Sequence, residues 1–178
     1  MMNKIPAWVD GTLTPVDKLE VHKLGLRHKA VSVFVLQDDA LLIQQRAMGK
    51  YHTPGLWANT CCTHPDWEEA SLSCATRRLN EELGINGLNP KFQNQIEYRA
   101  DVGGGLTEHE VVDVFLAEAD ESLAITPNPD EVMNTRWVAL EMLFSELREI
   151  ADIFSPWLKI HFEEHANDIF GERVIGHA

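Results

Sequence analysis

Residues 77–85 read RRLNEELGI. Leu79 and Leu83 lie four apart, and Leu72 and Ala75 extend the series backwards at three- and four-residue spacing, so these positions mark the buried face of an amphipathic helix. Gly84 suits the left-handed position that closes such a helix. At its other end Asp66 is a good N-cap and Glu69 stands three residues on, the spacing of a capping box. The pattern predicts one helix between Asp66 and Gly84.

Outward from this helix the chain alternates. Upstream, AVSVFVL (30–36) reads as a buried strand, QDDA as a turn and LLIQQR (41–46) as the hairpin partner. Then AMGKYHTPGLWANTCCTHP is long and irregular, and a loop of that length in a compact domain is usually functional. Downstream, strands are expected near 92–99, 109–117 and 135–140, and helices near 140–150 and 156–169. Strands before and after one central helix predict an α+β fold, a mixed α/β sandwich, in one domain spanning residues 1–178. The C-terminal HFEEHANDIFGERVIGHA is expected to be a partly amphipathic helix with a frayed tail.

Composition excludes some functions. The 178 residues are 44% hydrophobic and 24% charged, ordinary for a soluble globular chain. Fifteen Lys and Arg against 28 Asp and Glu leave a formal charge of -13, which argues against a nucleic-acid partner. The opening MMNKIPAWVDG carries no secretory pattern, and the longest apolar run is far too short to span a bilayer. Cys61, Cys62 and Cys74 form no disulfide framework, so a cytoplasmic location is expected. An anionic ligand would have to be captured by a local group of cations or a metal acting against the global charge.

Several residues could carry chemistry. In TEHEVVDVFL (107–116) the period-two alternation of a strand puts Glu108 and Glu110 on one face with Val112, Val114 and Leu116. Either the strand has left the core and both acids are solvated, or they form a paired carboxylate site that needs a cation or proton between them. His22, His28 and His64 are further ligand candidates, and three imidazoles with two carboxylates would suit Mn²⁺, Zn²⁺ or Mg²⁺. His52, His109, His161, His165 and His177 read as background. Lys18, Arg46 and Lys50, at the edges of the irregular loop, fit anion capture or plain surface charge. Cys62, in LWANTCCTHP, can be a buried small hydrophobe, a metal ligand or a reactive thiol; Cys74 is expected to pack.

RRLNEELGI, with Glu69 eight residues before Arg77, resembles the Nudix box, which implies a Nudix-like fold with central mixed sheets flanked by helices. The box is broken twice: Arg78 stands where it has a glutamate and Thr63 where it has its first glycine. In Nudix hydrolases those glutamates hold the metals that activate water against a pyrophosphate, so a cation in their place argues against that hydrolysis. Together KYHTPGLWANTCCTHP, RRLNEELG, EYRADVGGGLTEHEV and FSPW resemble the type I isopentenyl-diphosphate isomerases, from about Lys18 to Trp157.

That resemblance implies interconversion of isopentenyl and dimethylallyl diphosphate in isoprenoid biosynthesis. The alkene is unactivated, so a workable route protonates the double bond, passes through a tertiary carbocation and removes a different proton. This needs an acid and a base on opposite sides of the substrate in a dry pocket. By resemblance Cys62 and Glu110 are those two groups, with Tyr98 supporting the transfer. His22, His28, His64, Glu108 and Glu110 match the family's metal ligands, and Glu82 a contact to Mg²⁺ carried by the diphosphate. Lys18, Arg46, Lys50 and Thr63 match diphosphate contacts, and Trp157 an aromatic whose face can stabilise the cation. The implied partner is a small-molecule prenyl diphosphate, handled by a monomer or weak homodimer. The competing readings are a Nudix hydrolase of nucleoside or prenyl diphosphates and a catalytically silent Nudix module that binds a ligand or partner.

Overall fold

The computed structural model describes residues 4–174. Among these, nine strands form one mixed sheet, with five α-helices around it. An antiparallel hairpin, β1 (Lys4–Val9) and β2 (Thr12–Asp17), leads into α1 (Lys18–Leu24). The Asp17 carboxylate caps α1 by accepting from the Leu19 and Glu20 amides at 3.0 and 3.2 Å.

The predicted buried strand is β3 (His28–Gln37), and it is buried on both faces, which is why it reads as an unbroken apolar run. Val31, Val33 and Val35 enter one core layer with Leu42, Phe115 and Ala117. Ala30, Phe34 and Leu36 enter another with Val112 and Val114. On one side β3 pairs in parallel with β8 (Thr107–Glu118), from His28 opposite Glu110 to Leu36 opposite Glu118. On its other side it meets three strands in succession. Ala7 of β1 lies opposite His28, β6 (Cys61–Thr63) pairs with residues 31–33, and β4 (Ala40–Arg46) pairs only at the hairpin turn. Strands β3 and β4 therefore diverge, and β6 occupies the gap. β4 continues the sheet to β5 (Trp57–Ala58) and antiparallel β9 (Val132–Ala139). β7 (Lys91–Asp101) pairs antiparallel with β8, Tyr98 opposite Glu110.

The central helix, α2 (Ser71–Leu83), packs Cys74, Ala75, Leu79 and Leu83 against the first layer. It begins four residues later than the capping-box reading places it, with Ala70 and not Asp66 at the N-cap position. The Glu69 carboxylate does accept from the Asp66 amide (2.9 Å), but residues 66–70 form a separate turn. Leu72, in the first helical turn, is 47% exposed rather than buried. Gly84 closes the helix at φ 66°, where a Cβ would come within 2.8 Å of the Thr126 carbonyl oxygen.

The second layer is covered by α3 (Leu140–Glu149), α4 (Pro156–Glu164) and α5 (Ala166–Phe170). The single helix expected over 156–169 breaks at His165, whose backbone leaves the helical region. The expected frayed tail and His177 fall at residues 175–178, outside the described residues. No helix among the described residues is long and apolar enough to cross a membrane.

Candidate active site

The pocket lies where β3 and β4 part, at the C-terminal end of the irregular loop. Lys18, Arg46, Lys50, Cys62, Thr63, His64, Glu82, Glu108, Glu110 and Trp157 line it, with Tyr51, His52 and Arg78. His22, His28 and Tyr98 reach it from behind through the two glutamates.

Glu108 and Glu110 are 2% and 1% exposed, so the solvated-acid reading of that strand is overturned. Glu108 Oε2 lies 3.0 Å from His22 Nε2 and 3.4 Å from His28 Nε2; His64 Nε2 lies 2.9 Å from Glu110 Oε1. Three elements converge here: His22 from α1 and His28 from the start of β3, close in the chain, and His64 from just past β6, 36 positions beyond His28. His22 and His28 use Nδ1–H to donate to the Lys18 and Leu26 carbonyls, at 2.5 and 2.7 Å. Their Nε2 lone pairs are left facing the carboxylates and, for His28, the His64 Nε2 at 3.2 Å. Acceptors crowded against acceptors in a buried site need a cation among them, and outward-donating imidazoles are the usual support of metal ligands. The ligand atoms of His22, His28, His64 and Glu108 all lie within 4.8 Å of one another, so the donor set fits a divalent metal. Glu108 Oε2 and His64 Nδ1 have no hydrogen-bond partner, although both are buried.

The electrostatics agree. Burial opposes a charge on His28, yet the two carboxylates outweigh it and raise its pKa to about 9, which marks the strength of the negative potential at this cluster. Burial also opposes charge on Glu108, but contacts from His22, His28 and His52 hold it well below the usual carboxylate range. Glu110 is pushed the other way, to about 7, by burial and by the Glu108 charge. Its Oε2 accepts a short hydrogen bond from the Tyr98 hydroxyl. Burial and then Glu110 push the Tyr98 phenol up.

Cys62 lies opposite Ser32 across β3 and β6, and the Ser32 hydroxyl donates to its sulfur at 3.5 Å. Burial, then the Glu110 charge, raise the Cys62 pKa well above an ordinary thiol, so the group is a neutral S–H. The neighbouring Cys61 points through the sheet into the layer under α2.

Cations gather along the same pocket. Arg46 is buried, its guanidinium 5.1 Å from the Trp157 ring centroid. Burial, then Lys50 and Arg78, lower the Lys18 pKa, as expected of a cation set beside other cations. Lys50 pairs with Glu131, which also accepts from Arg78 at 3.2 Å. Glu82 accepts from Gln44 (2.8 Å) and Arg78 (2.6 Å), at the cationic side of the pocket and apart from the histidine cluster. Arg77, in contrast, turns away and binds the Glu69 carboxylate twice at 2.7 Å, so the isolated glutamate of the box pins the start of α2. FSPW acts as an anchor: the Ser155 amide donates to the Trp57 carbonyl (2.8 Å), and the Ser155 hydroxyl caps α4, which seats Trp157 in the pocket.

Sequence reasoning missed four participants. His52, set aside as background, places Nε2 3.1 Å from Glu108 Oε1. In sequence Arg78 marks only a departure from the box; in the structure it lines the pocket. Glu131 and Tyr51 carried no signal beyond their residue types. His161, also set aside, is wholly buried against Tyr98 and Trp157; His109 and His165 lie away from the pocket.

Fold and site together define a Nudix domain: the NUDIX domain family model matches residues 26–158. Solved structures agree on the fold. A Deinococcus radiodurans protein superposes with a TM-score of 0.70 at 13% identity, covering 88% of this chain and 94% of its own. A MutT NUDIX hydrolase from Burkholderia pseudomallei gives 0.58 at 22%, covering 78% and 98%. Curated relatives named isopentenyl-diphosphate Delta-isomerase are far more similar: that of Roseobacter denitrificans is 65% identical over 96% of this chain and 97% of its own, and that of Ruegeria pomeroyi 60% over 96% and 95%. The chain belongs to the isopentenyl-diphosphate Delta-isomerase family.

Proposed function

We propose that this chain interconverts isopentenyl diphosphate and dimethylallyl diphosphate by a 1,3-allylic shift, with Cys62 and Glu110 exchanging the two protons. The observation that carries the reading is a half-buried neutral thiol and a buried carboxyl, backed by a tyrosine, lining one small pocket together with a group of cations. The diphosphate is gripped by Lys18, Arg46 and Lys50, with the Thr63 segment at its edge. The hydrocarbon tail then lies between Cys62 and Glu110. One of the two groups donates a proton to the terminal carbon of the double bond, which leaves a tertiary cation. The other removes a proton from the carbon nearer the diphosphate, and the double bond re-forms one position along. Burial keeps out water that would trap the cation, and the Trp157 face stabilises it. Each turnover leaves the donor one proton short and the acceptor one proton richer; after product leaves, exchange with solvent water restores both, so the cycle balances with no redox partner.

A divalent ion held by His22, His28, His64, Glu108 and Glu110 would withdraw electron density from Glu110 and make the Tyr98–Glu110 pair a stronger acid. Three imidazoles favour Mn²⁺ or Zn²⁺ over Mg²⁺ there, whereas Mg²⁺ suits the diphosphate oxygens beside Glu82. All these residues lie between Lys18 and Trp157, so the chain acts as one domain on a small-molecule substrate, with no nucleic acid or membrane involved. We assign it to the cytoplasm, as a monomer or weak homodimer, on its three free cysteines and acidic surface.

Proton NMR of isopentenyl diphosphate incubated with enzyme and Mg²⁺ in D₂O tests the reading. Dimethylallyl diphosphate carrying deuterium is the expected product. Release of phosphate with the alkene unmoved would instead establish the hydrolase reading.

A further inference from the structure

The geometry points to His52 as the positioning residue of Glu108, holding one carboxylate oxygen so that the other faces the imidazole cluster. This rests on the reading of that cluster as a metal centre. A carboxylate oxygen only accepts, so the contact with Glu108 puts the proton on His52 Nε2 and leaves Nδ1 to accept from the Thr53 hydroxyl at 3.1 Å. Nε2–H then donates to Glu108 Oε1 at 3.1 Å. The other oxygen, Oε2, is the one within 3.0 and 3.4 Å of the His22 and His28 Nε2 atoms. A glutamate's terminal torsion is broad and close to two-fold, so nothing in Glu108 itself selects this orientation.

His52 is in turn held rigidly. Its ring lies nearly parallel to His22 (26°, centroids 5.7 Å apart) and edge-on to Tyr51 and Trp157. Arg46 donates to the His52 carbonyl at 3.1 Å and to the Thr53 carbonyl at 3.2 Å. Thr53 sits at φ 45°, a conformation that a β-branched residue adopts only when its surroundings impose it. The buried guanidinium that faces the diphosphate site thus also clamps the turn that aims His52 at the metal carboxylate.

The test uses the full chain freed of metal by chelation and titrated with Mn²⁺, followed by electron paramagnetic resonance. His52→Phe keeps the ring packing and removes the donor; His52→Gln restores an N–H at nearly the same reach. His52→Phe should bind Mn²⁺ about 10- to 100-fold more weakly. His52→Gln should recover most of that loss, which a purely packing role could not produce. Wild-type affinity in His52→Phe, or a His52→Gln variant as weak as His52→Phe, overturns the role of His52 alone. A wild-type chain that takes up no Mn²⁺ at this cluster overturns the metal centre and this proposal together.

Discussion

Cys61 and Cys62 are adjacent in the chain and lie on opposite faces of the sheet: Cys61 packs beneath α2, and Cys62 sits beside Ser32 in the pocket. Strand alternation alone separates them. Cys62→Ala should lower isomerisation by 10² to 10⁴-fold or more, the range for a lost acid–base group, while circular dichroism is unchanged. Cys61→Ala should retain turnover and cost roughly 1 kcal/mol of stability. Equal losses of activity in both variants would refute the assignment.

Glu110→Gln preserves shape and an oxygen for the Tyr98 hydroxyl. It should remove turnover and reduce the metal carried through purification, read by elemental analysis. Unchanged rate and metal content would remove Glu110 from the chemistry.

Lys50 is held by Glu131 at the pocket wall. Charge-assisted hydrogen bonds contribute about 1.5–3 kcal/mol, so Lys50→Ala should raise KM roughly tenfold or more with kcat little changed. Steady-state kinetics in both directions separates the two constants. A fall confined to kcat would mean that Lys50 acts on the reacting carbons instead.

His161 is wholly buried, and burial lowers its pKa from 6.5 to about 4. The unfolded chain therefore binds a proton between these values that the folded chain refuses. Its contribution is complete above pH 6.5 and is lost as pH falls towards 4, roughly 3 kcal/mol in all. Urea unfolding from pH 7 to 4.5 should show a shallower decline in His161→Phe than in the parent. Parallel declines would show that the imidazole does not carry this dependence.

Chelation should destabilise the fold. Metal at 100 times its dissociation constant contributes about 2.7 kcal/mol, equivalent to a fall in Tm of about 5 °C or more on removal. Scanning calorimetry before and after chelation, then with Mn²⁺ restored, measures it. An unchanged Tm with demonstrated metal loss would place the ion outside the folded framework.

Much of this was legible in one dimension because its signals are local. The period of Leu79 and Leu83, the closing Gly84, the apolar run of β3 and the alternation of Glu108 with Glu110 each follow from the geometry of a single element. The family resemblance carried by four ordered motifs similarly brought out Cys62 and, as candidate ligands, His22, His28 and His64. The β1–β2 hairpin and α1 escaped because Pro, Thr and charged residues interrupt any clean period there.

Only the tertiary structure could decide whether Glu108 and Glu110 are solvated or buried, since alternation says which face they share and not what covers it. Their cover comes from Tyr98 across the hairpin, His28 across a parallel pairing and His22 from a helix near the start of the chain. The same holds for His52, whose sequence neighbours give no hint of a partner 56 positions away at Glu108. Hydrogen bonding and charge act through a few ångströms of space, and the distance along the chain does not enter them.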